Sequence, residues 1–93
     1  MKLKLFTVRD SRVETFSPPM SMRHVGEAER WCADLVNDGK SIMSKNPEDF
    51  ALFELGEWDD VSAEFKLLPQ PHKIALCSSF RHEAQQAAGS FNR

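Results

Sequence analysis

The sequence lacks a long hydrophobic run, a glycine-rich loop, a closely spaced cysteine pair and an excess of charge of either sign. No apolar stretch approaches the ~20 residues that a helix needs to span a bilayer, so no membrane partner is expected. The basic N-terminal stretch has a short apolar part and no small-residue cleavage site, unlike a signal peptide. These absences predict a protein of the cytoplasm.

Cysteine and histidine are too scattered for a recognisable metal site. Cys32 and Cys77 lie far apart, with no Cys-x-x-Cys spacing, and are expected to be buried, reduced thiols; the spacing alone does not exclude a disulfide. His24, His72 and His82 lack the i, i+4 spacing that preorganises ligands. Neither a metal nor a cofactor is therefore expected.

The clearest group of potential catalytic side chains is acidic and consists of Glu57, Asp59 and Asp60. Clustered carboxylates can transfer protons or bind Mg²⁺, but on a tight turn they are more commonly solvated. The four glycines are isolated and form neither a GxGxxG motif nor a P-loop. We therefore expect no catalytic residue and no enzymatic activity.

Charge and length set further limits. The chain has 93 residues, and its 12 Lys/Arg against 14 Asp/Glu give a formal net charge of −2. This balance argues against a polycation that coats nucleic acid by charge alone, but it leaves room for a localised basic face. A chain of this length is expected to form one domain around one small core.

Alternation and turn residues predict the first strands. Residues 2–8 alternate at first and end in β-branched and aromatic residues, which indicates a strand. Residues 12–16 form a candidate second strand that ends at Ser17-Pro18-Pro19, because proline cannot donate to a ladder. Residues 20–24 are interpreted as a linker.

Residues 26–37 carry the strongest helical pattern. Their apolar positions recur at i, i+3, i+4, i+7 and i+8, which places them on one face of an α-helix. These positions are Ala28, Trp31, Cys32, Leu35 and Val36.

A β-hairpin is predicted within residues 46–68. An apolar strand over 50–56 leads to a polar turn over 57–60, followed by a strand over 61–68 with period-two alternation. Pro69-Gln70-Pro71 is expected to end that strand, and 72–77 is expected to form the last one.

The element order predicts an α+β fold: a small, mostly antiparallel sheet with one amphipathic helix packed on one face. Residues 1–77 would form the domain, and 78–93 a tail that is partly disordered or helical: either a frayed helix over 81–88 or a disordered segment. In the expected core, helix residues meet the sheet; its members are Trp31, Leu35, Leu5, Leu52, Phe65 and Ile74.

A single-stranded nucleic-acid interface is the most specific functional prediction. Cations and phenylalanines are interleaved on the first strands, and further lysines occupy later strands. The predicted site comprises Lys2, Lys4, Phe6, Arg9, Arg12, Phe16, Lys66 and Lys73. On one sheet face, such residues would pair with phosphates and stack bases. The other interpretation is a solvated face with the phenylalanines turned into the core.

Trp58 and the sheet edges suggest protein partners. Trp58 falls in the acidic hairpin turn, where an exposed ring would anchor a partner chain. A small antiparallel sheet leaves edge strands that pairing across a two-fold axis would cover, so a homodimer is expected.

Three segments, in this order, resemble the small nonstructural protein of gokushovirus-type microviruses, which are tailless single-stranded-DNA phages. They read KLKLFTVRDSRVETFSPP, EAERWCADLVNDG and NPEDFALFELGEWDDVSAEF. The matching motifs are Phe6-Thr7-Val8-Arg9-Asp10, then Ala28-Glu29-Arg30, then Pro47-Glu48-Asp49-Phe50 with Leu55, Gly56, Trp58 and Asp59. The resemblance covers residues 1–70.

The resemblance implies a non-virion phage protein in the host cytoplasm that binds DNA during genome replication or the switch to packaging. It transfers no individual site residue. The alternative is an interaction module that binds a phage or host replication protein, or a capsid precursor, without touching DNA.

Overall fold

The structure is a computed structural model that describes residues 1–82. These residues form a five-stranded antiparallel sheet with one main helix. This confirms the predicted α+β class. The strands are β1 (Lys2–Asp10), β2 (Thr15–Phe16), β3 (Met20–Met22), β4 (Phe50–Asp59) and β5 (Phe65–Leu76). The α-helices are α1 (Val25–Val36) and α2 (Ile42–Lys45), and two 3₁₀ helices cover Pro47–Asp49 and Cys77–Phe80.

Strand β1 is central to the sheet. Both β2 and β3 pair with one of its edges, β4 pairs with the other, and β5 pairs with β4 at the far edge. Every pairing is antiparallel. Because β1 is paired on both sides, its side chains are fixed toward one face or the other.

The main core lies between α1 and one face of the sheet, which we call the helix face. Phe6 and Val8 of β1 and Leu52 of β4 meet a stripe of α1 whose buried members are Ala28, Cys32 and Val36. Burying one large apolar side chain stabilises the fold by about 1.5–3 kcal/mol. The predicted helix is confirmed, with its start one residue earlier.

Hydrogen bonds with the residues that precede α1 cap its first turn. His24 is extended and makes no side-chain cap bond. Instead, the Arg23 backbone N–H donates to Glu27 Oε1 at 2.6 Å, and the Glu27 N–H donates to the His24 carbonyl at 3.1 Å. The Glu27 carboxylate also complements the positive end of the helix dipole.

The predicted linker at residues 20–24 is wrong over most of its length. Met20–Met22 forms β3, paired with Lys4–Phe6, and Met20 and Met22 pack against the helix-face core. Three residues are too few for a period to show in sequence. The candidate strand over 12–16 shrinks to Thr15–Phe16, because residues 11–14 turn the chain.

The predicted hairpin exists, but its boundaries are wrong. Strand β4 continues through Asp59, residues 60–64 form the turn, and β5 runs through both prolines. Gly56 lies opposite Leu67 and Glu54 opposite His72, so Leu68–Pro71 bulges from the ladder. An edge strand tolerates proline at such a bulge because no ladder bond is lost there.

The alternation over 61–68 does not mark a buried face. All eight residues are exposed, and Val61, Phe65 and Leu67 are 85%, 63% and 65% exposed. Phe65 is therefore not the core residue that the sequence predicts. The predicted contributions of Trp31, Leu35 and Ile74 hold, since all three pack against the helix-face core.

Packing continues past residue 77, the predicted end of the domain. Cys77 is fully buried, and Asn37 Nδ2 donates to the Phe80 carbonyl at 3.0 Å. Arg81 Nη2 donates to the Ser44 carbonyl at 2.6 Å, and the His82 N–H donates to Asn37 Oδ1 at 3.0 Å. The remainder of the predicted tail, 83–93, lies outside the described residues. Within 1–82, no helix is long and apolar enough to cross a membrane.

The closest approach of β5 to β4 depends on Gly56. A Cβ atom at this position would lie 2.3 Å from the Lys66 carbonyl oxygen and 2.7 Å from Leu67 Cα. Its φ of +149° is also a value that other residues rarely adopt. The hairpin therefore requires the absence of a side chain here.

We expect Gly56→Ala to lower the free energy of unfolding by about 2 kcal/mol or more, because it combines a steric clash with backbone strain. Urea unfolding would measure the loss. Gly39→Ala is the matched control: φ is +74° but nothing lies within 4 Å of the new Cβ, so only about 1 kcal/mol of strain is expected. Equal losses in the two variants would contradict the steric role of Gly56.

Candidate nucleic-acid interface

The sheet has a second apolar face, which α1 does not cover. Residues directly opposite on neighbouring strands share a face, and successive residues alternate, so the neighbours of Phe6, Val8 and Leu52 point away from the helix. This open face comprises Leu3, Leu5, Thr7 and Arg9 of β1, Phe16 of β2, Ala51, Phe53, Gly56 and Trp58 of β4, and Phe65, Leu67, Lys73 and Leu76 of β5. None of them belongs to the helix-face core.

One end of the open face holds a cluster of two cations and two aromatic rings, Arg9, Phe16, Phe53 and Lys73, which we call the cation–aromatic cluster. The Arg9 guanidinium carbon lies 5.8 Å from the Phe16 ring centroid. The Phe16 and Phe53 rings meet edge to face, with centroids 5.3 Å apart and planes at 78°. Lys73 lies directly opposite Phe53 across the β4–β5 ladder. Phe16 remains 46% exposed.

Hydrogen bonds at Ser17 hold the Phe16 segment against β1. The Ser17 backbone N–H donates to the Val8 carbonyl at 2.8 Å, and Ser17 Oγ accepts from the Val8 N–H at 3.1 Å. The buried Thr7 hydroxyl donates to the Ser17 carbonyl at 2.7 Å. A strand of only two residues is thereby fixed, and it places Phe16 beside Arg9.

A shallow depression of about 120 Å³ lies beside the cation–aromatic cluster. Arg9, Phe53 and Lys73 line it, together with Leu76. The acidic pair Glu48 and Asp49, from the 3₁₀ helix before β4, also borders it. The local surface thus combines an exposed ring and two cations with carboxylates at its margin.

The predicted basic residues do not share one face. Arg9, Phe16 and Lys73 lie on the open face, and Arg12 is exposed in the turn beside them. Lys2, Lys4 and Lys66 lie on the helix face, beyond the end of the core.

Carboxylates neighbour each of these three helix-face lysines. Lys4 Nζ lies 3.4 Å from Glu54 Oε2. Lys2 is directly opposite Asp59, and Lys66 is directly opposite Glu57. Opposite charges on adjacent strands neutralise one another, so this part of the helix face has no net positive field of its own.

Phe6, a predicted base-stacking residue, is fully buried in the helix-face core. It shares a face with Lys4, as the sequence alternation predicts, but it lies under α1 while Lys4 lies outside it. An inaccessible ring cannot stack a base, so Phe6 is removed from the candidate site.

Phe53 is the functional candidate that the sequence did not reveal. The sequence predicted only an apolar strand over 50–56, which gave no reason to single out one ring. Phe50 and Leu52 are buried on the helix face, so alternation places Phe53 on the opposite face. Its contact with Phe16 depends on the pairing of β1 with both strands, and sequence alone does not give that pairing.

The other end of the open face is apolar. The prediction that Trp58 lies in the hairpin turn is wrong. Trp58 is a half-buried residue of β4 between Leu3 and Phe65. Leu67 follows on β5, and it and Phe65 are both largely exposed. We call Leu3, Trp58, Phe65 and Leu67 the apolar end.

The acidic residues near the hairpin turn organise that turn. Asp59 Oδ1 accepts the Val61 N–H at 2.9 Å, and this bond, with a weaker one from Ser62, holds the pKa of the Asp59 carboxyl below its usual value. The N-terminal ammonium of Met1 donates to Asp60 Oδ1 at 2.7 Å, which raises the pKa of that ammonium. Both carboxylates therefore have a structural role.

Cys32 and Cys77 are fully buried and not joined in a disulfide, as predicted. The hydrogen bond with the Cys77 thiol, followed by burial, raises the pKa of Cys32. A protonated, buried thiol is a poor nucleophile. Within residues 1–82, no three His, Cys, Asp or Glu side chains are arranged to hold a metal ion.

We expect both thiols to react with an aromatic disulfide reagent about a thousandfold or more slowly in the native protein than after unfolding, because the unfolded fraction limits access. The absorbance of the released thiolate measures the rate. Ser62→Cys, at an exposed turn position, should add one thiol that reacts at once. Rapid reaction of two thiols in the folded wild type would contradict their burial.

A family model described as "Phage ORF5 protein" matches residues 3–80. No curated protein and no solved structure matches the chain. The match spans both the helix-face core and the open face.

Proposed function

The chain belongs to the phage ORF5 protein family, and we propose that this phage protein binds single-stranded DNA through the open face. The observation that supports this most directly is the cation–aromatic cluster. Its exposed Phe16 ring lies beneath the Arg9 guanidinium and beside Phe53, with Lys73 on the same face. Single strands are bound by this combination of stacking surface and phosphate-binding charge.

The cluster can contact bases and phosphates at the same time. Phe16 offers a ring on which a base stacks, an interaction worth about 1–3 kcal/mol per base. Arg9 on β1 and Lys73 on β5 are two strand spacings apart and offset by two residues along β4, about 12 Å in all, so they can reach different phosphates. Arg12, exposed in the adjacent turn, supplies a third cation.

The charge distribution limits the DNA affinity to a modest value, and the net charge does not steer DNA toward the protein. Two or three phosphate contacts give a slope of log K against log salt of about −1.4 to −2.1 on single strands. The net charge of −2 adds no general attraction for DNA. The cation–aromatic cluster must therefore provide most of the binding energy.

In this proposal the protein acts without catalysis in the host cytoplasm, in genome replication or in the switch to packaging single-stranded genomes. The gokushovirus-type resemblance of residues 1–70 supports this role. A single-stranded genome offers unpaired bases, which is the form that an exposed ring on a sheet recognises.

Lys73→Gln is expected to weaken binding to a labelled oligonucleotide and to reduce the magnitude of the salt slope by about 0.7, the contribution of one phosphate contact. Fluorescence anisotropy over a range of salt concentrations measures both. Lys2→Gln is the control, because Lys2 is also an exposed strand lysine but lies on the helix face. Loss of affinity in Lys2→Gln but not in Lys73→Gln would place the DNA on the other face.

Phe16→Ala is expected to weaken binding about tenfold or more, since it removes a stacking surface, and to leave the salt slope unchanged because no charge is lost. Val13→Ala is the matched control: Val13 is 64% exposed in the preceding turn but lies outside the cluster. Wild-type affinity in Phe16→Ala, with its fold confirmed by circular dichroism, would exclude the stacking role.

A protein-interaction module without DNA contact is the second candidate. The exposed Phe65 and Leu67 beside Trp58 favour it, because apolar side chains concentrated at one site typically mark protein interfaces. A phage or host replication protein would then be the partner. The anisotropy experiment separates the two candidates: no affinity for single strands at low salt would exclude DNA binding and favour this role.

A further inference from the structure

The outer edge of β5 is unpaired among the described strands next to the apolar end. Strand β5 pairs only with β4, and residues 65–73 are all exposed. An edge with free N–H and C=O groups beside exposed apolar side chains is a surface on which a further strand can pair. Charged side chains or prolines block most edges of this kind. The part of the β5 edge that can pair with another strand must therefore be identified.

At the start of β5, the backbone groups that face away from β4 belong to Phe65 and Leu67. The Asp59 N–H donates to the Glu64 carbonyl at 2.9 Å, so the Glu64 carbonyl faces β4. The Lys66 carbonyl also faces β4, since its oxygen lies against Gly56. Backbone polar groups alternate sides along a strand, so those of Phe65 and Leu67 point outward.

Prolines separate this short segment from the rest of the β5 edge, which continues to Leu76. Pro69 and Pro71 have no N–H to donate, and Leu68–Pro71 bulges from the ladder. On the other side, residues 60–64 turn the chain back toward β4. A further strand can therefore pair with this segment over only about three or four residues.

Charge makes this segment complementary to itself. Glu64 and Lys66 flank Phe65 symmetrically in sequence. In an antiparallel pair of two identical strands centred on Phe65, the Lys66 of each copy lies opposite the Glu64 of the other. The same operation places the two Phe65 rings side by side on the open face, next to Leu67 and Trp58.

We propose that the apolar end is the interface with a second copy of this chain, formed by antiparallel pairing of the two β5 edges about a two-fold axis at Phe65. The pairing brings the two exposed Phe65 rings together beside Leu67 and gives each outward Phe65 backbone group a partner, while Leu67 lies opposite the turn of the other copy. Because the contact is the same on both copies, it closes at a dimer.

Cysteine cross-linking tests the position of the axis. Opposed residues in an antiparallel pair lie about 5.5 Å apart between Cα atoms, which is within disulfide range. Phe65→Cys is therefore expected to form a covalent dimer under mild oxidation with glutathione disulfide. Val61→Cys is the control, because Val61 is 85% exposed but remote from the axis; it should not cross-link.

A charge swap tests the chemistry of the contact, with sedimentation equilibrium as the measurement and no DNA present. The wild type is expected at twice the 10.6 kDa mass of the chain. Lys66→Glu and Glu64→Lys should each weaken dimerisation about tenfold, since each places like charges opposite one another twice. The double variant restores both opposite-charge pairs and should dimerise as the wild type does.

Three results would overturn the proposal. One is a wild-type chain that stays monomeric up to submillimolar concentration, which would leave the apolar end to a different protein. The second is a dimer in which Val61→Cys cross-links as well as Phe65→Cys. The third is a double variant that dimerises no better than the single ones. DNA affinity enters none of these measurements, so they stand apart from the proposed DNA binding.

Discussion

The fold depends on a mismatch between the area of one helix and the area of the sheet. Both faces of β1 and β4 carry apolar side chains, but α1 has 12 residues and covers only Phe6, Val8, Leu52 and their neighbours on one side. Leu5, Thr7 and Ala51 in the middle of the other side are also buried. The outer parts of that face stay accessible, and every functional candidate follows from this.

Along the open face the residue types change from one end to the other. Near β2, cations accompany the rings of Phe16 and Phe53, while near the hairpin turn Trp58, Phe65 and Leu67 lie beside Leu3. Rings beside guanidinium and ammonium groups suit a charged, stacked ligand, and rings among leucines suit a dry protein contact. The open face thus presents two different surfaces within the described residues 1–82.

Features of the fold that depend on local sequence pattern could be predicted, whereas features that depend on strand pairing could not. The helix, the first strand, the buried thiols and the α+β class follow from periodicity and composition. The eight-residue interface did not hold together, since Lys2, Lys4 and Lys66 share a parity with buried Phe6 rather than with Arg9 and Lys73. Which parity meets the helix is set by tertiary packing. The prediction that Pro69 and Pro71 end the strand is wrong for a similar reason. The bulge that accommodates them in β5 cannot be recognised from the alternation of residue types.

The Ser17 contacts have a consequence for the thermodynamics of any ligand at Phe16. Because hydrogen bonds to Thr7 and Val8 already fix this two-residue strand, the conformational entropy of the Phe16 segment is lost when the chain folds. A base that stacks on the ring then meets a preorganised surface and need not order it. The affinity of the open face for such a ligand would consequently depend on the stability of the Phe16 segment, so weakening the Ser17 bonds would also weaken stacking on Phe16.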